Sequence, residues 1–185
     1  IDTYAEMALR TGLNRAQNEG RISGYLASGT KLVHVSQHLG ADAHCIPYQN
    51  KILAVTGQAG RQTMTDPATG GETTVDVYAT LQSAIAHGLL HINCRHTLTA
   101  YVPGTPLPKT VHATEVHYEA EQQQRYNERM IRQWKRHQAV ALTPERARFT
   151  DQKVKAWQAR QREHLAQHPW LARQYDREKV WEARA

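Results

Sequence analysis

Along the first hundred residues the apolar positions switch between helical and strand spacing; beyond them the spacing is helical throughout. Tyr4, Met7, Ala8 and Leu9 give a helical face from Thr3 to Asn18, and Asn18-Glu19-Gly20 predicts its end. A second short helix is expected over Arg21 to Ala27, stopped by Ser28-Gly29. Lys31 to Ser36 alternates, with Leu32, His34 and Ser36 on one face and Val33 and Val35 on the other, which predicts a strand. Ile52 to Val55 is a second apolar run of strand length. Gly57 to Thr74 holds Gly57, Gly60, Gly70, Gly71 and a proline, and reads as a surface loop with little core. Leu81, Ala84 and Ile85 predict a short helix over Thr80 to His87, with Gly88 just past its end. Leu98 to Val102 is the last expected strand.

The run Val102-Pro103-Gly104-Thr105-Pro106-Leu107-Pro108 cannot continue a helix or a central strand. After it, Tyr126, Met130, Ile131 and Trp134 fall at helical spacing within Glu115 to Val140. Thr143-Pro144-Glu145 restarts a helix, with a hydroxyl cap, a first-turn proline and an acid near the positive helix end. Val154, Trp157 and Leu165 form its stripe, His168-Pro169 its stop, and Trp170 to Arg184 a third segment. The pattern predicts an α+β fold: a small mixed α/β domain over residues 1–104, then a long basic α-helical arm over residues 105–185.

Composition sharpens that division. Residues 1–104 hold seven Lys/Arg and seven Asp/Glu, so the net charge of +6 falls wholly on residues 105–185, as do all four tryptophans. No run of about 20 apolar residues is present, so no membrane partner is expected. The chain opens at Ile1 without a basic-then-apolar leader and already in helical text, which predicts a fragment of something longer rather than a secretory precursor. Two cysteines suit a reducing compartment better than a disulfide scaffold, with a single Cys45–Cys94 bridge as the alternative.

The chemistry-bearing words are His34-x3-His38, His44-Cys45 and His91-Ile92-Asn93-Cys94-Arg95-His96. Thiolates and imidazoles are the ligands zinc prefers, and four of them close a tetrahedral structural site. The best set is Cys45, His91, Cys94 and His96, with His38 or His44 as substitutes. The competing reading has the cysteines as small buried hydrophobes and the histidines bonded to backbone carbonyls. A Cys–His nucleophile has the residue types but no orienting third group in view. A deaminase is excluded, because no P-C-x-x-C follows the chain's H-x-E word, His117-Tyr118-Glu119. No carboxylate stands out beside the histidines to act as a base, which favours a closed structural site over a hydrolytic one.

Arg125, Arg129, Arg132, Lys135 and Arg136 run at helical spacing, joined by Lys153, Lys155, Arg160 and Arg162. They suit phosphate contact without sequence readout. They equally suit a solvated face with internal ion pairs such as Glu128–Arg132.

The words MALRTGLNRAQNEGR, KLVHVSQHLGADAHCIPYQNKILAVTG and GLLHINCRHTLTAYVPG, in that order, resemble the phage minor capsid protein 2 family, related to the Mu F-like head morphogenesis proteins. EQQQRYNERMIRQWKRHQAVAL and KVKAWQARQREHL look like the helical tail of many members, so the resemblance spans nearly the whole chain. Its most specific parts are Gly40-Ala41 followed by Tyr48-Gln49-x-Lys51, and Asn93-Cys94-Arg95-His96. The chain departs from the family at Asp42-Ala43 (commonly Arg-Pro), Tyr48 (commonly Trp) and Asn50 (commonly Gly), and Cys45 matches no family cysteine. The resemblance implies a non-enzymatic, low-copy component of the virion, at or near the portal inside the head and assembled in the host cytoplasm. Its implied partners are the portal or major capsid protein and packaged double-stranded DNA. Two readings stand beside it: a metal-dependent hydrolase or nuclease built on the Cys/His cluster, and a plain nucleic-acid-binding module.

Overall fold

A computed structural model describes residues 2–180. The chain divides into two compact units, Ile1–Glu115 and Val116–Ala185, and the fold is α+β.

In the first unit the element order is α1 (Asp2–Ala27), β1 (Leu32–Val35), β2 (Ile52–Ala54), β3 (Gly60–Thr65), β4 (Glu72–Thr80), α2 (Leu81–Ala86) and β5 (Leu98–Ala100). The five strands form one mixed sheet in the order β3-β4-β2-β1-β5. Only β2 and β4 run parallel; the other neighbours are antiparallel. β1 is buried on both faces, and its alternation divides two cores. Val33 and Val35 join Leu53, Leu81, Ala84, Leu89, Leu98 and both cysteines, with Ile22 and Tyr25 of α1 packed on them. Leu32 joins Ile52, Ala54, Val75 and Val77 on the opposite face.

Two expectations are corrected here. The first is the helix break at Gly20, since α1 is continuous to Ala27. A glycine inside a helix costs only about 1 kcal/mol relative to alanine, and side chains on both sides of Gly20 tie this helix down. Asn18 donates to the His96 carbonyl at 3.3 Å, Arg21 to the Leu98 carbonyl at 3.3 Å, and the Tyr25 hydroxyl to the same carbonyl at 3.1 Å.

The second correction is the glycine-rich loop, which is a β-hairpin. Its Thr- and Val-rich flanks pair in register from Gly60↔Val77 to Thr65↔Glu72, as β-branched residues favour. Only residues 66–71 turn: the Asp66 carboxylate accepts from the Ala68 N–H at 2.8 Å and the Thr69 hydroxyl at 2.9 Å. The hairpin supplies Val75 and Val77, much of the second core.

Residues 105–114 lie on the first unit. Gln37 donates to the Lys109 carbonyl at 2.6 Å and accepts from the Val111 N–H at 2.7 Å. Asn50 donates to the Pro108 carbonyl and to the Thr110 hydroxyl, both at 3.0 Å, while its Oδ1 meets His34 Nε2 at 2.8 Å.

The second unit is a helical hairpin, α3 (Glu115–Ala139) and α4 (Pro144–Gln167), followed by a 3-10 turn over Tyr175–Glu178. Thr143 caps α4 as expected, accepting from the Arg146 N–H at 3.2 Å. Edge-to-face pairs Tyr126–Trp157 and Trp134–Phe149 run in opposite senses along the two helices, so they are antiparallel. The interior is polar: Gln124, Asn127, Glu128, Thr150, Gln161 and Glu178 are buried beside Ala120, Ile131 and Val154. Of the expected third segment, only the turn at Tyr175–Glu178 has regular structure among the described residues; Trp181 to Arg184 lie outside them.

Candidate metal centre

Two stretches of the first unit carry the candidate ligands, and α1 braces one of them. Residues 42–45 form a turn: the Asp42 carbonyl accepts the Cys45 and Ile46 N–H groups at 2.9 and 3.0 Å. Asp42 Oδ1 accepts the His44 N–H at 3.0 Å and meets His44 Nδ1 at 2.6 Å. The stretch after α2 comes close to this turn because residue 88 lacks a side chain. Gly88 has φ of 102°, and a Cβ there would sit 3.1 Å from that of His44. The backbone then turns left-handed twice, at Leu90 and Asn93, both with φ of 61°. Such residues cost energy that the surroundings must hold in place, and they concentrate at functional sites. Thr11 accepts the Asn93 N–H at 3.0 Å, Arg10 donates to Asn93 Oδ1 at 3.3 Å, and Asn14 donates to the Cys94 carbonyl.

The result brings three of the four expected ligands together. Ligand atoms of Cys45, His91 and Cys94 all lie within 4.8 Å of one another. The two sulfurs are 3.7 Å apart and both cysteines are free and buried; a disulfide would hold them at about 2.05 Å. His91 Nδ1 stands 2.7 Å from the Ile92 carbonyl and so carries the proton, leaving the Nε2 lone pair available.

His96 stays outside this group. Its Nδ1 is 3.4 Å from Cys94 Sγ, but its ring stacks on His38 with centroids 4.4 Å apart. Among the described residues, the Nε2 atoms of both His38 and His96 are buried without a hydrogen-bond partner. Burial, with help from the His96 and Arg95 charges, pushes the His38 imidazole down to about 4.

The sulfurs are electrically unlike. The thiols share one S–H···S contact at 3.7 Å, and that contact, reinforced by His96, lowers the Cys94 pKa against the opposing effect of burial. The same contact, burial and the charge of Cys94 raise Cys45. Each sulfur accepts a backbone N–H: Cys94 from His96 at 3.4 Å, and Cys45 from Leu90.

The expectation that no carboxylate stands near the histidines is corrected. Asp42 Oδ1 lies 3.7 Å from His91 Nε2. Burial alone would raise this carboxyl, but hydrogen bonds from His44 and the nearby imidazoles outweigh it and lower its pKa. The signal was legible as Asp42-x-His44-Cys45, a turn-forming Asx word directly before a ligand.

The basic series on α3 is divided. Arg125 pairs with Glu121 at 3.0 Å, Arg132 donates to the Arg177 carbonyl, and Lys135 donates to the Glu178 carbonyl at 2.9 Å. Arg129 and Arg136 are exposed, Arg129 lying over the Tyr126 ring. On α4, Arg160 covers Trp157 and Lys153 reaches Trp134 and Phe149.

With this geometry in place, comparison with known proteins identifies the chain's relatives. Residues 1–166 match the phage minor capsid protein 2 family, across the sheet, both cysteines and the three long helices α1, α3 and α4. The chain belongs to that family. A protein named "Structural protein" from Lactococcus phage LL-H is 27% identical over the whole chain, which spans 49% of that relative's length. Another of the same name from Lactococcus phage mv4 is 36% identical over half of this chain and 81% of its own. No solved structure matches. Membership of this family and the names of these relatives support a structural role in a phage particle. Among its described residues no helix is long and apolar enough to cross a membrane.

Proposed function

We propose that this minor capsid protein is a low-copy, non-enzymatic component of the phage head, placed at or near the portal on the inside. The observation that carries the reading is the family match over residues 1–166, which takes in both compact units. The sheet unit is the rigid body of the proposal. The helical unit is its docking element, toward the portal or major capsid protein. Quantitative mass spectrometry of purified virions tests it: a few copies per particle, located beside the portal by labelling, are expected. A particle without the chain, or one carrying it at major-capsid abundance, overturns it.

DNA is the second proposed contact, favoured by the net positive charge of residues 105–185 and the exposure of Arg129, Arg136 and Arg160. Binding of this kind weakens with salt at a log–log slope of about −0.9 per phosphate contacted. Reversing the charge of Arg129 and Arg136 should weaken it equally on all sequences. Binding that ignores salt, or none at low salt, leaves α3 and α4 as a protein-docking element alone.

A further inference from the structure

We propose that Cys45, His91 and Cys94 bind one zinc ion through three protein ligands, with the fourth position filled by a water that Asp42 holds, and that His96 is not a ligand. Zinc bonded to two thiolates at about 2.3 Å in tetrahedral geometry places the sulfurs about 3.8 Å apart. The observed separation of Cys45 and Cys94 is 3.7 Å. Van der Waals packing also permits that distance, so the case rests on three further features.

The first is the third ligand. His91 spends its Nδ1 proton on the Ile92 carbonyl at 2.7 Å, which fixes the ring and aims the Nε2 lone pair, the usual outer-shell arrangement of a metal-bound imidazole. The second is the treatment of the sulfurs. Each accepts a backbone N–H, from Leu90 and from His96. Such bonds favour the anionic sulfur a metal needs and contribute little to a thiol that is merely packed. The third is the backbone. Left-handed Leu90 and Asn93 bracket His91, and three side chains of α1 hold the stretch there.

The fourth position follows from what flanks the group. Asp42 Oδ1 faces His91 Nε2 at 3.7 Å but falls outside the set of ligand atoms within 4.8 Å, and it already accepts from the His44 ring and N–H. A carboxylate so placed holds a water on the ion more readily than it displaces that water. His91 and Asp42 are partly exposed, so the position opens outward. His96 Nδ1 meets Cys94 Sγ at 3.4 Å, but His96 falls outside the set of ligand atoms within 4.8 Å of one another, and its ring stacks on His38. Binding replaces the thiol protons with the ion and releases them to solvent.

The test uses the full chain, purified without chelator. Elemental analysis should find about one equivalent of zinc. Cobalt(II) in its place should show the thiolate-to-metal band and intense visible absorption of tetrahedral coordination. Adding imidazole or azide should shift that spectrum, as an open fourth position requires. Cys45→Ser and His91→Ala should lose the metal. Asp42→Asn should keep the stoichiometry with affinity weakened roughly tenfold, and His96→Ala should keep both. If the cysteine variants fail to fold, thiol titration of the native protein decides. Cys45 and Cys94 should react slowly until chelator is added. Thiols equally reactive with and without chelator, or no metal bound from added zinc, overturn the site. Loss of metal in His96→Ala, or a cobalt spectrum indifferent to added ligands, overturns the open fourth position.

Discussion

Arg173 closes on Glu178 through two parallel hydrogen bonds, Nε to Oε1 at 2.9 Å and Nη2 to Oε2 at 2.8 Å, although Glu178 is only 2% exposed. This fork, with the Lys135 and Arg132 bonds to backbone carbonyls, ties residues 173–178 onto α3. Removing one partner of a buried pair leaves the other charge uncompensated, which typically costs about 3–5 kcal/mol. Arg173→Ala should therefore destabilise the helical unit by about 3 kcal/mol. Tryptophan fluorescence during urea unfolding reads that unit, because every tryptophan lies in it. Arg173→Ala combined with Glu178→Ala should cost less than the sum of the two single changes. Additive losses would mean that the fork contributes nothing beyond packing.

Glu128 presents the opposite case. It is buried, its Oε1 has no hydrogen-bond partner, and Arg177 approaches its other oxygen only to 3.8 Å. Burial raises its pKa, against the pull of Arg177 and Arg132. A folded value above the unfolded one gives a contribution that is full below the unfolded value and is lost as pH rises through the folded one. Glu128→Gln should thus raise the stability of the helical unit near neutral pH by about 1 kcal/mol. It should also flatten the decline that sets in as pH rises above the unfolded glutamate value of about 4.3. An unchanged slope in the variant would show that Glu128 does not set it.

His38 carries the reverse sign in the sheet unit. Its folded value is pushed down from 6.5 to about 4, so its contribution is present above the unfolded value and lost as pH falls between the two. Acid should loosen the sheet unit through that window, and His38→Phe should remove part of the effect. Hydrogen exchange at β1 and β5 amides is the measurement, and identical pH profiles would refute the assignment.

Asn50 combines a left-handed backbone, φ 57°, with three side-chain bonds to His34, Pro108 and Thr110. Asn50→Gly keeps the conformation and loses the bonds, at about 1 kcal/mol each. Asn50→Ala adds about 1 kcal/mol of backbone strain. Both should speed proteolysis within residues 103–114, Ala more than Gly. Cleavage rates equal to wild type would show that the Asn50 bonds do not secure the segment.

Much of the fold was legible because hydrophobic spacing is local. β1, β2, α2, β5, α3 and α4 sit where alternation, helical stripes and cap residues put them. What was missed depended on partners distant in sequence. Gly20 reads as a stop until the Asn18, Arg21 and Tyr25 bonds to residues 96–98 are seen. Glycines 57, 60, 70 and 71 read as a loop because glycine marks turns and strand ends alike, and only pairing tells them apart. At the candidate site, residue chemistry named Cys45, His91 and Cys94, but the choice between His96 and Asp42 belongs to ring orientation. The basic stripe on α3 gave no hint that Arg132 and Lys135 bind carbonyls far along the chain.

The bonds that fasten α1 have a temporal consequence. Thr11, Asn14, Asn18, Arg21 and Tyr25 all reach residues 93–98, and β5, beside β1 at the sheet edge, begins at Leu98. The helix α1 is thus made well before the stretch that secures it. Until that stretch emerges, α1 lacks all of these bonds and the core beneath it lacks Cys94 and Leu98, so local helix formation must keep α1 intact. Three glycines within it make that wait precarious. A nascent chain stalled before Leu98 should be the aggregation-prone species of this protein, with the helix exposed until residues well beyond it are released.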